Sequence, residues 1–183
     1  MKKASINNKL GKGSILLAAL IIIFITILLF PVYILKASHY RDGEYLKSWL
    51  VKRGDSFSIK YTHSVQLTPV IEAYYIDEEG EIILDESYFY SYGAGLPSDT
   101  PYKFETTKNG FRIYDIDELM DNLIYRTGAV RANHKINIKG KTYPFLDFSE
   151  PRTGIKFEVE QSFLLQHILK EAYNVKRQIN YRK

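Results

Sequence analysis

The hydrophobic and polar positions of the chain follow two different patterns. Residues 14–35 contain no charge, and as a helix they would be about 33 Å long at 1.5 Å per residue. A hydrocarbon layer is about 30 Å thick, so this segment predicts a transmembrane helix. After it, apolar and polar residues alternate in short runs, which is typical of β-strands. The pattern therefore predicts a membrane anchor at 14–36 followed by a β-rich domain.

Turn-forming residues divide the second part of the chain into short runs that predict strands. The predicted strands are 45–51, 56–65, 70–77, 81–92, 110–114, 122–130, 135–138 and 155–159. Residues 160–173 instead have apolar positions at helical spacing, and 116–123 is a possible short helix. The predicted fold is mainly β: an antiparallel β-sandwich or partly open barrel with a C-terminal helix, preceded by one transmembrane helix.

The anchor divides the chain into four predicted segments. Residues 1–13 form a cytoplasmic N-terminus, 14–36 the signal anchor, 37–44 a linker, and 45–183 an extracytoplasmic β-rich domain. A cleaved signal peptide is the alternative, but its apolar region would be shorter and small residues would follow in an A-x-A arrangement. Leu35 occupies one of the two small-residue positions here, which favours an uncleaved anchor.

The orientation of the anchor follows from charge. Lys2, Lys3, Lys9 and Lys12 precede it, and no acidic residue does. The positive-inside rule places this end in the cytoplasm and the rest of the chain outside the cell membrane, as a single-pass protein. Five of the 25 basic residues lie at or before Lys36, which leaves 20 basic against 21 acidic residues after it.

The charge and the cysteine content exclude several classes of function. The outer part has a net charge of −1 by the count above, so the high isoelectric point gives no argument for a nucleic-acid partner. The chain has no cysteine, which removes disulfides, thiolate metal sites and cysteine nucleophiles. The sequence also lacks zinc-hydrolase and calcium-loop spacings, so no metal site, cofactor or catalytic residue is predicted.

The first candidate site lies in the segment Tyr-Thr-His-Ser-Val-Gln-Leu-Thr-Pro-Val-Ile-Glu at 61–72. His63 shares a face of its predicted strand with Tyr61 and aliphatic residues, and Glu72 shares a face of the next strand with Tyr74, since side chains alternate. A four-residue hairpin loop at 66–69 would place His63 opposite Glu72, with Cβ atoms about 4.5–5.5 Å apart. This register predicts an imidazole–carboxylate pair on the inward face of the sheet.

Three interpretations of this pair stay open. A structural pair is one, because an unpaired buried charge is costly. A binding site is the second, with His63 as donor or metal ligand and Glu72 orienting it. General-base catalysis is the third, and it needs a nucleophile or an oxyanion arrangement that the sequence does not show.

A second candidate feature is the segment Ser-Tyr-Gly-Ala-Gly-Leu-Pro at 91–97. Gly93 and Gly95 allow positive φ angles, and successive N–H groups beside Ser91 in such a turn can bind an anion. The alternative is a tight corner of the fold, because no Gly-Lys-Ser/Thr follows. Ser91, Gly93 and Gly95 therefore join the candidate ligand-binding residues.

Three motifs in order resemble a small bacterial family, the domain of unknown function 1850 family. They are Tyr-Thr-His-Ser-Val at 61–65, Pro-Val-Ile-Glu at 69–72 and Gly-Ala-Gly-Leu-Pro at 93–97, and the resemblance covers about 47–114. Such proteins are often encoded beside TRAP transporters of the TAXI type, which take up organic acids. The resemblance implies an accessory role but supplies no activity.

Carried over residue by residue, the motif positions of that family are His63, Glu72, Gly93, Gly95 and Pro97. The implied partners are the membrane subunit of the transporter or its solute-binding protein, together with the lipid bilayer around the anchor. The expected function is thus a non-enzymatic accessory protein of a solute transporter. The alternatives are a module that senses or binds a small ligand or a metal, and a hydrolase.

Overall fold

A computed structural model describes residues 11–91, 100–128 and 131–181. These described residues form two antiparallel β-sheets and two helices, with one short 3-10 turn at Phe145–Asp147. The helices are α1 (Lys12–Leu28) and α2 (Leu164–Tyr181). The strands are β1 (Pro31–His39), β2 (Tyr45–Val51), β3 (Ser56–Thr62), β4 (Pro69–Ile76), β5 (Ile82–Phe89), β6 (Lys103–Thr107), β7 (Gly110–Tyr114), β8 (Glu118–Leu119), β9 (Leu123–Arg126), β10 (Lys135–Ile138), β11 (Lys141–Pro144) and β12 (Gly154–Phe163).

Sheet A and sheet B, as we call them, differ in size. Sheet A has the order β2-β1-β12-β9, and sheet B has the order β11-β10-β3-β4-β5-β7-β6, with β8 beside β5. Within the described ranges neither sheet closes into a barrel. The prediction of a mainly β, antiparallel fold with a C-terminal helix is therefore confirmed.

The core lies between the two sheets. Alternate residues of each strand point inward, so sheet A contributes Leu35 and Phe157 and sheet B contributes Ile59 and Ile136, all at most 1% exposed. Phe145, from the 3-10 turn, is fully buried between them. Burying one such side chain contributes about 1.5–3 kcal/mol, so this shared layer holds the sheets face to face.

The predicted anchor at 14–36 is wrong over its last part. Helix α1 ends at Leu28, and Pro31 begins β1, which lies between β2 and β12 in the middle of sheet A. Proline has no N–H to donate and biases the preceding residue away from helix. Ile34 and Leu35, on opposite faces of β1, are both fully buried. Among the described residues, no helix combines the length and the apolar character needed to cross a bilayer.

Other predicted boundaries also change. The predicted linker at 37–44 is wrong in its first part, because β1 continues to His39. The short helix predicted at 116–123 is wrong: this stretch contains the strand β8, and Asp115 and Asp117 have φ angles of 56° and 48°, outside the right-handed helical region. Strands β6 and β11 were not predicted.

The C-terminal helix starts later than predicted. Residues 160–163 continue β12, which pairs with β1 along its length, so α2 begins only at Leu164. One side of α2 carries His167, Glu171 and Asn174, and these side chains contact β2. Helix α2 therefore covers the outer face of sheet A with polar groups.

Candidate functional site

The predicted pairing of His63 with Glu72 is wrong. In the observed register Glu72 lies opposite Ile59, and Thr62 lies opposite Pro69. Strand β3 ends at Thr62, so the loop to β4 has six residues rather than the assumed four. The observed register differs from the predicted one by an even number of residues. The same side chains of β3 and β4 therefore point inward, as predicted, although their cross-strand partners change.

His63 uses its side chain within its own turn. Its Nδ1 accepts hydrogen bonds from the backbone N–H groups of Val65, at 3.3 Å, and Gln66, at 3.2 Å. Its own N–H donates to the carbonyl oxygen of Thr68 at 2.9 Å. The side chain thus shapes the β3–β4 turn.

Glu72 is surrounded by tyrosines instead. Its Oε2 accepts a hydrogen bond from the Tyr125 hydroxyl and lies 3.5 Å from the Tyr74 hydroxyl, and the Tyr61 hydroxyl also donates to the carboxyl group. The Tyr74 and Tyr125 hydroxyls are 2.5 Å apart. Tyr125 belongs to β9 of sheet A, whereas the other three residues belong to sheet B. We call Glu72, Tyr61, Tyr74 and Tyr125 the tyrosine cluster.

The ring of His134 packs against this cluster. Its ring stacks on Tyr61, with centroids 5.2 Å apart, and on Phe145, at 5.5 Å, and it meets the edge of Tyr125 at 5.9 Å. Its Nδ1 is buried, and no described residue hydrogen-bonds it. A buried polar atom in this condition is unusual, because most such atoms have a hydrogen-bond partner.

Burial controls the protonation of the site. It raises the pKa of Glu72 above its usual value, although the tyrosine hydrogen bonds act in the opposite direction. Burial, with the nearby carboxylate, raises the pKa of Tyr61 and Tyr74, and burial likewise raises that of Tyr125. Burial lowers the pKa of His134. The phenols therefore remain protonated donors, and the imidazole remains neutral at physiological pH.

Ser91, another predicted site residue, lies near the same end of sheet B. Ser91 follows β5, and its hydroxyl lies 2.8 Å from that of Thr68 in the β3–β4 turn. Gly93 and Gly95 lie outside the described residues. The structure thus brings the turn containing His63 close to Ser91. Glu72 lies in β4, the strand that pairs with both β3 and β5.

A second polar group lies between sheet A and α2. Ser48 Oγ is 2.9 Å from His167 Nδ1, which resembles half of a hydrolase dyad. Ser48 is only 3% exposed, and Glu171 binds the Ser48 N–H, Tyr45 and Lys47. Burial lowers the pKa of His167. These contacts hold α2 on the sheet, and a nucleophile needs access to its substrate that this serine does not have.

The chemistry open to the tyrosine cluster is hydrogen bonding and proton exchange. No group of three or more His, Asp or Glu residues is placed to hold a metal ion in the described part of the chain. Tyr61, Tyr74 and Glu72 are half-buried or buried on one inward face, which strand alternation predicted. Tyr125 was missed because no local signal shows that β9 joins the opposite sheet, and His134 was missed because its segment is polar.

The chain therefore belongs to the class of β-sheet domains. Its two antiparallel sheets pack together, and at one end a carboxyl group lies among tyrosines. The family model described as Domain of unknown function (DUF1850) matches residues 57–145. That range is just under half of the chain and contains the whole tyrosine cluster. The match supports the family to which the three sequence motifs point. No curated protein and no solved structure gives a match.

Proposed function

We propose that this protein is a membrane-attached accessory protein of a solute transporter. The single observation that supports attachment is the exposed apolar surface of α1. Its large side chains from Ile15 to Ile27 are each 48–64% exposed. A helix that is apolar on all sides is stable only when something apolar surrounds it, and the hydrocarbon layer of a membrane supplies that surrounding.

The flanks of α1 agree with a membrane surface. The segment before it has basic residues and no acidic ones, as the sequence shows. Leu29 and Phe30, directly after it, are 53% and 61% exposed. Attachment requires α1 to enter the hydrocarbon layer. That the sheets lie on the extracytoplasmic side stays a prediction from the charge pattern.

The role of the sheet domain is proposed from the family. The resemblance implies a place beside a TRAP transporter of the TAXI type, with its membrane subunit or its solute-binding protein as the partner. A domain held at the membrane by α1 meets such a partner at high local concentration, which favours an association that is weak in solution.

Fractionation tests the attachment. Replacing Leu20 and Ile23 by lysine puts two charges into the exposed surface of α1, so we expect the protein to move from the membrane fraction to the soluble fraction. Lysine at Leu119, which is 52% exposed on sheet B, is the matched control and is expected to leave the protein membrane-bound. A double variant that stays with the membrane would contradict attachment by α1.

Crosslinking in native membranes, followed by purification in mild detergent, tests the partner. We expect the membrane subunit or the solute-binding protein of the transporter to be recovered with the chain. Recovery of the chain alone under both conditions would refute the accessory role and leave the attachment untouched.

The tyrosine cluster favours a second candidate function, the binding of a small ligand. Tyrosine donors, a carboxyl group and the unpartnered Nδ1 of His134 converge at one end of sheet B. A thermal-shift screen with organic acids and divalent cations tests it, with Glu72→Gln as the site variant and Glu79→Gln, at an exposed turn, as the control. Ligands that shift all three proteins equally would contradict this function.

A further inference from the structure

Helix α2 packs on sheet A through its polar side. Glu171 Oε1 accepts hydrogen bonds from the Ser48 N–H, at 2.9 Å, and the Tyr45 hydroxyl, at 2.7 Å. Asn174 Nδ2 donates to the carbonyl oxygen of Leu46 at 3.1 Å. The side of an amphipathic helix that faces a protein core is ordinarily its apolar one, so α2 has the reverse arrangement.

The apolar side of α2 faces outward. We call Leu165, Ile168, Leu169 and Ala172 the apolar stripe; Ile168 is 47% exposed and Leu169 59%. Tyr173, next to the stripe, is 68% exposed.

The outer face of sheet A explains this orientation. Lys36 pairs with Glu158 and Glu160 there, at 2.6 Å and 2.5 Å. These charges and the polar groups of β2 give the polar side of α2 its partners on the sheet, and Ile168 and Leu169 of the stripe are left without cover from it.

The stripe begins where α1 ends. The N–H of Leu164 donates to the carbonyl oxygen of Phe30 at 3.1 Å, and the two helices are neighbours. Phe163, the last residue of β12, is 44% exposed, and Leu29 and Phe30 are exposed as well. The exposed surfaces of α1 and α2 are therefore continuous, and whatever surrounds α1 also lies beside the stripe.

Charge identifies the kind of surface. From residue 170 to the end, the chain has five basic residues and one acidic residue, Glu171. The Glu171 carboxylate is already used by Tyr45, Lys47 and Ser48. A helix with an apolar stripe and an excess of basic over acidic residues in its sequence is suited to the interface of a membrane that contains anionic lipid.

We propose that α2 binds the surface of an anionic bilayer with the apolar stripe in the interfacial layer, and that the excess of basic residues from 170 onward in the sequence gives the preference for anionic lipid. This inference rests on the proposed attachment by α1 and adds a lipid preference to it. Helix α2 then makes the second membrane contact of the chain, and this contact depends on lipid charge.

Single introduced cysteines test the proposal, because the chain has none of its own. Leu169→Cys reports on the stripe, Leu20→Cys on α1, and Leu119→Cys on sheet B; all three residues are exposed. Each full-length variant is labelled with an environment-sensitive fluorophore and reconstituted with vesicles. The vesicles are phosphatidylcholine alone or phosphatidylcholine mixed with phosphatidylglycerol.

In the mixed vesicles we expect the fluorescence of the labels at 20 and 169 to rise severalfold and shift to the blue. The fluorescence of the label at 119 should not change. The signal at 169 should fall in phosphatidylcholine alone, in high salt and after K176E with R177E, whereas the signal at 20 should not. A signal at 169 that is as strong in neutral lipid overturns the preference for anionic lipid.

The remaining outcomes separate this proposal from the attachment. A signal at 20 with none at 169 overturns the role of α2 and leaves attachment by α1 standing. No signal at either position overturns both. A signal at 169 that requires the membrane subunit of a transporter in the vesicles shows that the stripe binds protein, which also overturns the proposal.

Discussion

Replacing Tyr125 by phenylalanine removes one hydroxyl group and keeps the ring. That hydroxyl donates to Glu72 and lies 2.5 Å from the hydroxyl of Tyr74. The ring contacts Phe145 and Phe157 edge-on, with centroids 6.2 Å and 6.4 Å apart, and these contacts survive the substitution. The variant thus isolates the hydrogen bond that joins sheet A to the carboxyl group of sheet B.

The expected loss follows from the kind of hydrogen bond. A hydrogen bond to a charged group contributes about 1.5–3 kcal/mol, against about 1 kcal/mol for a neutral pair. We therefore expect Tyr125→Phe to lower the free energy of unfolding by about 1.5–3 kcal/mol where Glu72 is ionised. Below the raised pKa of Glu72 the carboxyl group is neutral, and the loss should shrink towards the neutral value.

The direction with pH follows from the same pKa. Burial raises the pKa of Glu72 above its usual 4.5, so the folded state binds this proton more tightly than the unfolded state. The contribution of Glu72 to stability is therefore largest below pH 4.5 and falls as the pH rises through the folded pKa. Loss of the Tyr125 donor raises that pKa further, so the variant should lose stability more steeply over this range.

Urea denaturation of the full chain in mild detergent measures this, followed by the fluorescence of Trp49, which is the single tryptophan and is buried. Tyr75→Phe is the matched control, because its hydroxyl donates to Asp117 at 2.8 Å in an exposed pair. An exposed pair contributes about 0–1 kcal/mol. A loss for Tyr125→Phe no larger than the control, or one that grows on acidification, would refute the reasoning.

Three further substitutions test the fold and the site. Glu72→Gln, measured by urea denaturation across pH, should flatten the fall in stability above pH 4.5 because the ionisable group is gone; an unchanged pH profile would contradict the raised pKa. Phe145→Ala should lower the free energy of unfolding by about 3–5 kcal/mol. Leu146→Ala removes a side chain that is 42% exposed, so it should lower that free energy only slightly. Leu35→Ala should lower the free energy of unfolding by about 2–5 kcal/mol, because β1 is part of the core. Equal losses for Leu35→Ala and the exposed Leu50→Ala would argue against the burial of β1.

Strand alternation predicted much of the fold. The bounds of β2, β7 and β10 agree with the predicted ones, because each run is short and has turn residues on both sides. Strand β1 was missed because its apolar residues continue the run that forms α1. Hydrophobicity alone cannot show where a helix gives way to a buried strand, and Pro31 was the only local sign.

The candidate site was predicted in part. Alternation placed Glu72, Tyr61 and Tyr74 on one inward face, and the structure agrees. The partner of Glu72 was wrong because it depended on the length of a loop, and a loop length is not fixed by the pattern of the strands. Tyr125 reaches the site from another sheet, and only tertiary packing decides such a contact.

The path from α1 into the sheets has a mechanical consequence. Only Leu29 and Phe30 separate the helix from β1, and β1 is hydrogen-bonded on both sides, to β2 and to β12. A pull on α1 would therefore act along β1 and load both rows of hydrogen bonds together in shear, rather than opening them one after another. With so short a connection the sheets have little freedom to swivel about α1, so the direction of α1 also sets the direction in which the sheets point.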